Sequence, residues 1–347
     1  MRVFDAQRTR EVLPWPALVA ALRQMFQGGC EMPLRHHHRV AVPGEPDATL
    51  LLMPAWVVGE HLGVKVVNVM PGNGARGLPS VISNYLLSDA RSGQLLALID
   101  GGALTSRRTA AASALAASYL ARADASHLLI VGTGQLALNM AAAHASVRPI
   151  RHVGVWGRRS ERAERVAGRV REALGIEAVA VADLEAAVRQ AHIVSTVTLA
   201  NEALVQGEWL QPGTHLDLVG AFRPDMRESD DAAVRCASVF VDTREGACTE
   251  GGDIVQALAS GALTRERIRA DLHELARGSH VGRSDEAEIT LFKSVGAALE
   301  DLAAARLVWR LAAASPPDMR PNDMDGSSSN RQHRPWHLPE APDGNHP

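Results

Sequence analysis

The sequence predicts an α/β protein in which a doubly wound parallel sheet is joined to an α+β domain. Three observations predict it. The length of 347 residues is enough for two domains of about 150 residues each. From Ser126 onward, strand-like and helix-like segments alternate, which predicts parallel strands with crossover helices. Before Ser126, strand-like segments follow one another between Pro and Gly clusters, which predicts a mostly antiparallel sheet.

Residues 1–122 are predicted to form the α+β domain. Its strand candidates are LLLMPAWV, LGVKVVNVM, SNYLLSD and QLLALIDG. A helix from about Ser106 to Ala121, capped by Thr105 or Ser106, is predicted to connect the two domains. The strongly helical apolar stretch ITLFKSVGAALEDLAAARLVWRLAA should pack back on the first domain, with a completing helix over about 298–314. Residues 315–347 are rich in Pro, Asp, Asn and Ser, and this composition predicts a disordered tail.

Residues 123–297 are predicted to form the second domain. Strand HLLIV, helix LALNMAAAHA and strand RHVGVW precede a charged helix from Ser160 to Leu174. Strand EAVAV and a helix starting near Asp183 follow, and the later strands are HIVSTV, THLDLV and SVFVD. Parallel strands joined by right-handed helical crossovers form a Rossmann fold.

The segment GTGQLA, at the end of the first of these strands, predicts a dinucleotide site. Gly132 would make the tight turn, Gly134 would let the backbone approach a pyrophosphate, and Ala137 would allow close packing of helix on strand. The helix amino terminus would direct its N–H groups at the phosphates. The predicted cofactor-binding run is Gly132, Thr133, Gly134, Gln135, Leu136 and Ala137.

The end of the second strand bears on the choice between NAD and NADP. Arg158, Arg159 and Ser160 occupy it, and the first carboxylate comes later, at Glu161. Arginine can bind a 2′-phosphate bidentately, so these residues favour NADPH, with NADH as a weaker cofactor. The alternative is a pair of solvated arginines that open a surface helix.

Basic residues in the first half are candidates for binding an anion. Lys65 lies among apolar residues in LGVKVVNVM. In a central strand its ammonium would need a counter-charge such as a bound anion, whereas in an edge strand it would face water. Arg107 and Arg108 would lie in the first turn of the predicted helix, where the dipole disfavours cations unless an anion binds; the pattern does not say which of the two faces solvent. The segment 35–39, RHHHR, reads as a polar surface loop.

Charge and cysteine usage exclude several classes of function. The 36 basic and 39 acidic residues are nearly balanced, which argues against nucleic acid or an anionic membrane as a partner. Cys30, Cys236 and Cys248 match neither a zinc spacing nor a disulfide framework, so no metal site is predicted and a reducing compartment is expected. Neither a signal peptide nor a membrane-length apolar run is present, so the protein is expected to be soluble and cytoplasmic.

Several segments together resemble the ornithine cyclodeaminase and mu-crystallin family. They are GVKVVNV, LTSRRTAAASALA, VGTGQLA, VWGRRSERAE, STVTLANEALV, VGAFRPDMRESDD and TLFKSVGAALEDLAAA, and they cover nearly the whole chain up to the tail. The resemblance implies a homodimer whose amino-terminal sheet domain forms both the subunit contact and the substrate pocket. It also implies that Arg35, Lys65 and Arg108 hold the substrate carboxylate. Thr198 and Val295 would border the cofactor.

One position departs from the ornithine cyclodeaminases, which carry an acid–base aspartate two residues after the glycine that ends the fifth strand. Here that glycine is Gly220, and the position is Phe222, which cannot transfer a proton. Asp225 is close in sequence but matches another position, shared by reductase-like members. The segment GVKVVNVMPGN also resembles the Δ1-pyrroline-2-carboxylate reductase branch.

The resemblance implies an oxidoreductase of proline metabolism. The expected reaction is NADPH-dependent reduction of Δ1-pyrroline-2-carboxylate to L-proline, and of Δ1-piperideine-2-carboxylate to L-pipecolate, with Lys65 as the catalytic residue of the clamp. The alternatives are ornithine cyclodeaminase activity, an alanine-dehydrogenase-like reduction of pyruvate with ammonia, and an NADPH-dependent binding protein without turnover. The expected partners are a small cyclic imino acid and a second copy of the chain.

Overall fold

The first half of the chain forms a six-stranded mixed sheet with helices packed on one face. The computed structural model describes residues 1–314, so the predicted disordered tail lies outside the described residues. The strands are β1 (Arg2–Phe4), β2 (His36–Val40), β3 (Ala48–Val57), β4 (His61–Val69), β5 (Val81–Asp89) and β6 (Leu95–Asp100). The helices are α1 (Ala6–Glu11), α2 (Trp15–Gly28) and α3 (Gly101–Leu120). The spatial order is β1-β6-β5-β4-β3-β2, and every pair except β1 with β6 is antiparallel.

The second half forms an eight-stranded sheet that is parallel throughout, with the order β13-β12-β14-β11-β10-β7-β8-β9. This confirms the predicted Rossmann arrangement. Its strands are β7 (His127–Val131), β8 (His152–Trp156), β9 (Glu177–Ala180), β10 (Ile193–Thr196), β11 (His215–Leu218), β12 (Ser238–Val241), β13 (Ile268–Asp271) and β14 (Thr290–Lys293). Its helices are α4 (Leu136–Ala145), α5 (Ser160–Leu174), α6 (Leu184–Gln190), α7 (Asp231–Cys236), α8 (Arg244–Thr249), α9 (Gly252–Ser260) and α10 (Leu272–Arg277).

A last helix, α11 (Ala298–Ala314), packs against α2, α3 and the strands β3, β4 and β5. It therefore returns to the first sheet, as predicted. Alternate side chains of the central strands point toward these helices. One row of paired residues on this helix-covered face consists of Met53, Lys65, Tyr85 and Ile99, and all four are buried. This face holds the buried half of the sheet.

Three predictions of local structure are wrong. The connector helix α3 begins at Gly101 because the side chain of Asp100 accepts a hydrogen bond from the N–H of Ala103. Thr105 and Ser106 are therefore not caps, and Arg108 lies in the second turn of α3 rather than the first. Residues 290–293 were included in a helical stretch but form β14, between β11 and β12.

The segment predicted as a polar loop forms a strand instead. Residues 36–40 form the edge strand β2, paired antiparallel with β3. Every residue of the strand is exposed. Polar side chains are compatible with such a strand because an edge that faces water is protected from further pairing by polar and charged groups.

Candidate active site

The dinucleotide turn joins β7 to α4 at the carboxyl edge of the parallel sheet. Gly132 has φ +133°, a backbone conformation that residues with side chains rarely adopt. A Cβ placed on it would also lie only 2.8 Å from the carbonyl oxygen of Val197, so both the backbone and the available space require glycine. Gly134 is exposed, and a Cβ added there would meet no atom within 4 Å, which leaves room for a ligand. Ala137 is fully buried against the sheet. The predicted run Gly132–Ala137 is therefore a compact turn with one open side.

Arg158, Arg159 and Ser160 follow β8, the strand next to β7, and all three are exposed. Gly157 is in contact with Thr133 of the turn, because an added Cβ would lie 2.5 Å from its Cγ2 atom. Within residues 1–314, neither guanidinium has an ion-pair or hydrogen-bond partner. Two unpaired cations thus lie beside the turn, at the start of α5.

Lys65 lies in the central strand β4 and is only 3% exposed. Its Nζ atom is 2.7 Å from Oδ2 of Asp301 and 3.5 Å from Oγ1 of Thr105. The sequence left open whether Lys65 lies in a central strand or in an edge strand; β4 is central, between β5 and β3. In this structure the counter-charge is the carboxylate of Asp301, in the first turn of α11.

Arg108 is also buried, and it contacts two adjacent carboxylates. Its Nη1 lies 2.8 Å from Oε2 of Glu300, and its Nε lies 3.0 Å from Oδ1 of Asp301. Arg107 points elsewhere: it donates to the backbone oxygen of Arg10, and its guanidinium lies over the ring of Trp15. Arg108 is therefore the member of the pair that joins Lys65.

Arg35 reaches the same place from the segment before β2. Its Nη2 donates to the carbonyl oxygen of Gly296 at 2.9 Å and lies 3.3 Å from Oε2 of Glu250. Gly296 has φ +80°, and its Cα faces the guanidinium of Arg108, since an added Cβ would lie 2.8 Å from Nη2. Arg35 and Arg108 therefore both contact Gly296, and Lys65 is joined to Arg108 through the carboxylate of Asp301 that they share.

The loop that carries Gly296 is held by a buried carboxylate. Asp242, at the end of β12, accepts hydrogen bonds from the N–H groups of Thr243, Val295 and Gly296 at 2.6, 2.7 and 2.8 Å. Burial raises the pKa of Asp242, and these N–H groups oppose that rise. Asp242 thus fixes Val295, a predicted cofactor neighbour, relative to Arg35 and Arg108.

Burial and the neighbouring charges act in opposite directions on the pKa values of the cluster, and burial prevails at Lys65 and Glu300 but not at Asp301. It lowers the pKa of Lys65 to about 8, although Asp301 favours the ammonium. It raises the pKa of Glu300 to about 7, against the effect of Arg108 and with a further rise from Asp242. Burial would also raise the pKa of Asp301, but Arg108 and Lys65 outweigh it and the pKa falls. Glu300 can therefore gain or lose a proton near neutral pH, while Asp301 stays ionised.

Thr198, another predicted cofactor neighbour, is tied to a second buried network. Glu228 accepts from both the N–H and the hydroxyl of Thr198, at 2.7 and 2.8 Å, and from the N–H of Gly220 at 2.6 Å. Its own backbone N–H donates to Asp253, whose Oδ2 is 3.3 Å from the fully buried Lys293. This network fixes the ends of β10 and β11.

Sequence reasoning missed the residues that hold the basic ones. They are Asp242, Glu250, Gly296, Glu300 and Asp301. A signal was present for two of them, because ALEDLAAA places adjacent acids in an otherwise apolar helix predicted to be packed, and buried acids need partners. Phe222 is 46% exposed after β11, and Asp225 is paired with Arg223 at the surface.

Residues 1–314 lack both a metal-binding cluster and a membrane-spanning helix. They contain no group of three or more His, Cys, Asp or Glu side chains arranged to hold a metal ion. Within the same residues, no helix has the length and apolar character needed to span a membrane.

Comparison with known proteins identifies the family. The model of the ornithine cyclodeaminase/mu-crystallin family matches residues 6–315. The chain belongs to this family. A Δ1-pyrroline-2-carboxylate reductase of Paracoccus denitrificans is 43% identical over 304 residues, which are 87% of this chain and 94% of the relative.

Solved structures share the whole fold. The Δ1-pyrroline-2-carboxylate reductase of Thermococcus litoralis, in complex with NADH and L-proline, has a TM-score of 0.84 and 34% identity, covering 90% of this chain and 98% of that one. The iminosuccinate reductase of Paracoccus denitrificans, in complex with NAD+, has a TM-score of 0.81 and 26% identity, covering 90% and 97%. The family thus includes enzymes that reduce C=N bonds with a nicotinamide cofactor.

Proposed function

We propose that this protein reduces cyclic imino acids with NADPH, converting Δ1-pyrroline-2-carboxylate to L-proline and Δ1-piperideine-2-carboxylate to L-pipecolate. The observation that carries the proposal is the convergence of three cations: Arg35 and Arg108 both contact Gly296, and Lys65 shares Asp301 with Arg108. Basic groups from separate elements converge there, which suits a small carboxylate ligand. The similarity to a 43% identical reductase of this substrate supports the same reaction.

The clamp would act chiefly by positioning. Arg108 and Lys65 would bind the carboxylate of the imine from the sheet side, and Arg35 from the other side of Gly296. A fixed carboxylate restricts the orientation of the adjacent C=N carbon, and this restriction lowers the activation barrier. Lys65, whose pKa of about 8 leaves its Nζ protonated at pH 7, would hold a proton close to the imine.

The cofactor would occupy the turn Gly132–Ala137, where Gly134 leaves open space. When bound, NADPH supplies the hydride that the imine carbon accepts. Asp242 and Glu228 would keep Val295 and Thr198 in place on the side of the site that faces it. Ornithine cyclodeamination would require an acid–base group at position 222, and the phenyl ring there offers none.

The preference for NADPH over NADH is part of the proposal. Arg158 and Arg159 are exposed, unpaired within the described residues, and adjacent to the turn. Replacing both by Ala should weaken NADPH binding at least tenfold and leave NADH binding within about twofold, since one charge-assisted contact contributes about 1.5–3 kcal/mol. The control is Arg169→Ala, an exposed arginine farther along α5. An unchanged NADPH/NADH affinity ratio in the double variant would reject the assignment.

A homodimer is proposed from the outer face of the first sheet. The residues that alternate with the buried set are apolar and only partly covered within the chain, and they include Leu52, Pro54, Val64, Val66 and Leu86. A continuous apolar face on a monomer is typical of an interface. A second copy of the same sheet would bury it.

The reaction is tested in three parallel assays, in which NADPH absorbance is followed for the first two substrates and ammonia release for the third. The substrates are Δ1-pyrroline-2-carboxylate, pyruvate with ammonia, and ornithine with NAD. We expect the cyclic imine to give the highest kcat/KM, and Lys65→Met to lower it at least 100-fold. Ammonia release from ornithine without imine-dependent oxidation would overturn the proposal, and binding of NADPH without any oxidation would identify a non-catalytic protein.

A further inference from the structure

Each basic residue of the clamp already has a carboxylate from this chain. Lys65 and Arg108 share Asp301 and Glu300, and Arg35 has Glu250 at 3.3 Å. The carboxylates come from two elements. Glu300 and Asp301 lie in the first turn of α11 and are fully buried, whereas Glu250 follows α8 and its side chain is 32% exposed. The clamp therefore carries much less net positive charge than its three cations indicate.

Arg35 is held through one nitrogen. Its Nη2 donates to the carbonyl oxygen of Gly296 and faces Glu250, while its Nη1 and Nε have no partner within residues 1–314. A guanidinium fixed in this way keeps free N–H groups on Nη1 and Nε, each of which can donate a single hydrogen bond to a ligand. Glu250 thus orients Arg35 and at the same time neutralises it.

The surroundings of this ion pair add negative charge and apolar surface. A cavity of about 90 Å³ opens here between the first sheet domain and α8. Its basic residue is Arg35, and its acidic residues are Glu245 and Glu250. The apolar side chains on its wall are Met32, Pro33, Leu34, Met53, Ala297 and Ala298. A ligand group extending past Arg35 would meet apolar surface and two carboxylates.

We infer that Glu250 determines substrate specificity: it restricts the pocket to imino acids with a single carboxylate by neutralising Arg35 and repelling a second carboxylate. The inference rests on the proposed function. The fold itself permits dicarboxylates, because the iminosuccinate reductase of Paracoccus denitrificans shares it over 90% of this chain. Discrimination must then come from the side chains that line the pocket.

The magnitude follows from charge and exposure. Two like charges about 5 Å apart repel strongly where the effective dielectric constant is about 20. Because Glu250 is about one third exposed, solvent weakens that repulsion. We therefore expect a discrimination of about tenfold to be attributable to this one carboxylate.

The test uses two acyclic imines that differ only by the second carboxylate. They form in situ from pyruvate and from oxaloacetate, each with ammonia. In the wild-type protein kcat/KM should be at least tenfold lower with oxaloacetate. In Glu250→Gln, which keeps the shape and removes the charge, the oxaloacetate/pyruvate ratio should rise about tenfold. The control Glu172→Gln removes an exposed carboxylate from α5 and should leave the ratio unchanged.

Two results would overturn the inference. One is a wild-type protein that reduces both acyclic imines equally well, a measurement that needs no variant. The other is a Glu250→Gln protein whose activity falls equally on all substrates, since a purely structural role would not change the ratio. Both results can be distinguished from failure of the proposed function. If the proposed function is wrong, the wild-type protein will not oxidise NADPH when Δ1-pyrroline-2-carboxylate is added.

Discussion

Glu300 should make the stability of the protein depend on pH. Its pKa rises from 4.5 to about 7 on folding, chiefly because of burial. Between these values the folded state binds more protons than the unfolded state, so stability is full below pH 4.5 and is lost as pH rises through 7. At about 1.4 kcal/mol per pH unit, the loss is about 3 kcal/mol. Glu300→Gln cannot ionise and should not show it.

The assay is thermal or urea unfolding of both proteins at one concentration from pH 5 to pH 8. Across this range the free energy of unfolding of the wild type should fall by about 2.5 kcal/mol relative to that of the variant, which corresponds to about 3 °C in Tm. Titrating groups that behave alike in the two proteins contribute equally to both free energies of unfolding, so their contributions cancel in this comparison. Glu172→Gln, exposed on α5, should follow the wild type at every pH. A Glu300→Gln difference that is constant from pH 5 to pH 8 would refute the reasoning.

The same proton should affect ligand binding. With Glu300 protonated, Lys65 and Arg108 face one carboxylate, that of Asp301, and the cluster has a net positive charge. With Glu300 ionised the charges cancel, so a carboxylate ligand should bind more weakly above pH 7. Pyrrole-2-carboxylate, whose ring nitrogen does not titrate in this range, is a suitable probe. Up to about pH 7.5, where Lys65 with its pKa of about 8 is still mostly protonated, its Kd should rise with pH in the wild type and stay nearly flat in Glu300→Gln.

Two further variants test the geometry of the site and of the dimer. Gly296→Ala should raise the KM for the imine at least tenfold and leave the Kd of NADPH within twofold, because the new Cβ would displace Arg108; Gly74→Ala, which meets open space, is the control. If the proposed dimer forms, Val66→Asp should convert it to a monomer in sedimentation, because the substitution places a charge on the apolar sheet face, whereas Val58→Asp in an exposed turn should not. A dimeric Val66→Asp protein would place the subunit contact elsewhere.

Sequence periodicity predicted most of the parallel sheet. The bounds of α5 agree to the residue, because the helix is amphipathic with a wide apolar stripe and ends at Gly175, which has a positive φ. The pattern assigns Thr290–Lys293 to a helix because a strand of four buried residues is too short to show its own period and is followed closely by the apolar helix α11. Only the neighbours β11 and β12, far apart in sequence, identify it as a strand.

The start of α3 could not be predicted from local sequence, for a different reason. Thr105 and Ser106 are good capping residues, and nothing local excludes them. Asp100 is the observed cap because β6 ends at that residue and the chain turns directly into the helix. Moving the start by five residues removes the argument that the helix dipole needs an anion beside Arg108, although Arg108 still lies in the site.

The chemistry of the site was the least accessible to sequence. Arg35, Lys65 and Arg108 could be predicted through resemblance, since a family motif marks positions and residue types. Their charge partners could not, because Glu300 and Asp301 follow Lys65 by more than 230 residues and Glu250 lies in the other sheet domain. A cluster of cations on a sequence indicates an anion site, but the strength and selectivity of that site depend on the acids that tertiary packing brings beside them. For this protein we expect Glu250 to decide whether the pocket holds one carboxylate or two, and Glu300 to set how tightly that carboxylate is bound at a given pH.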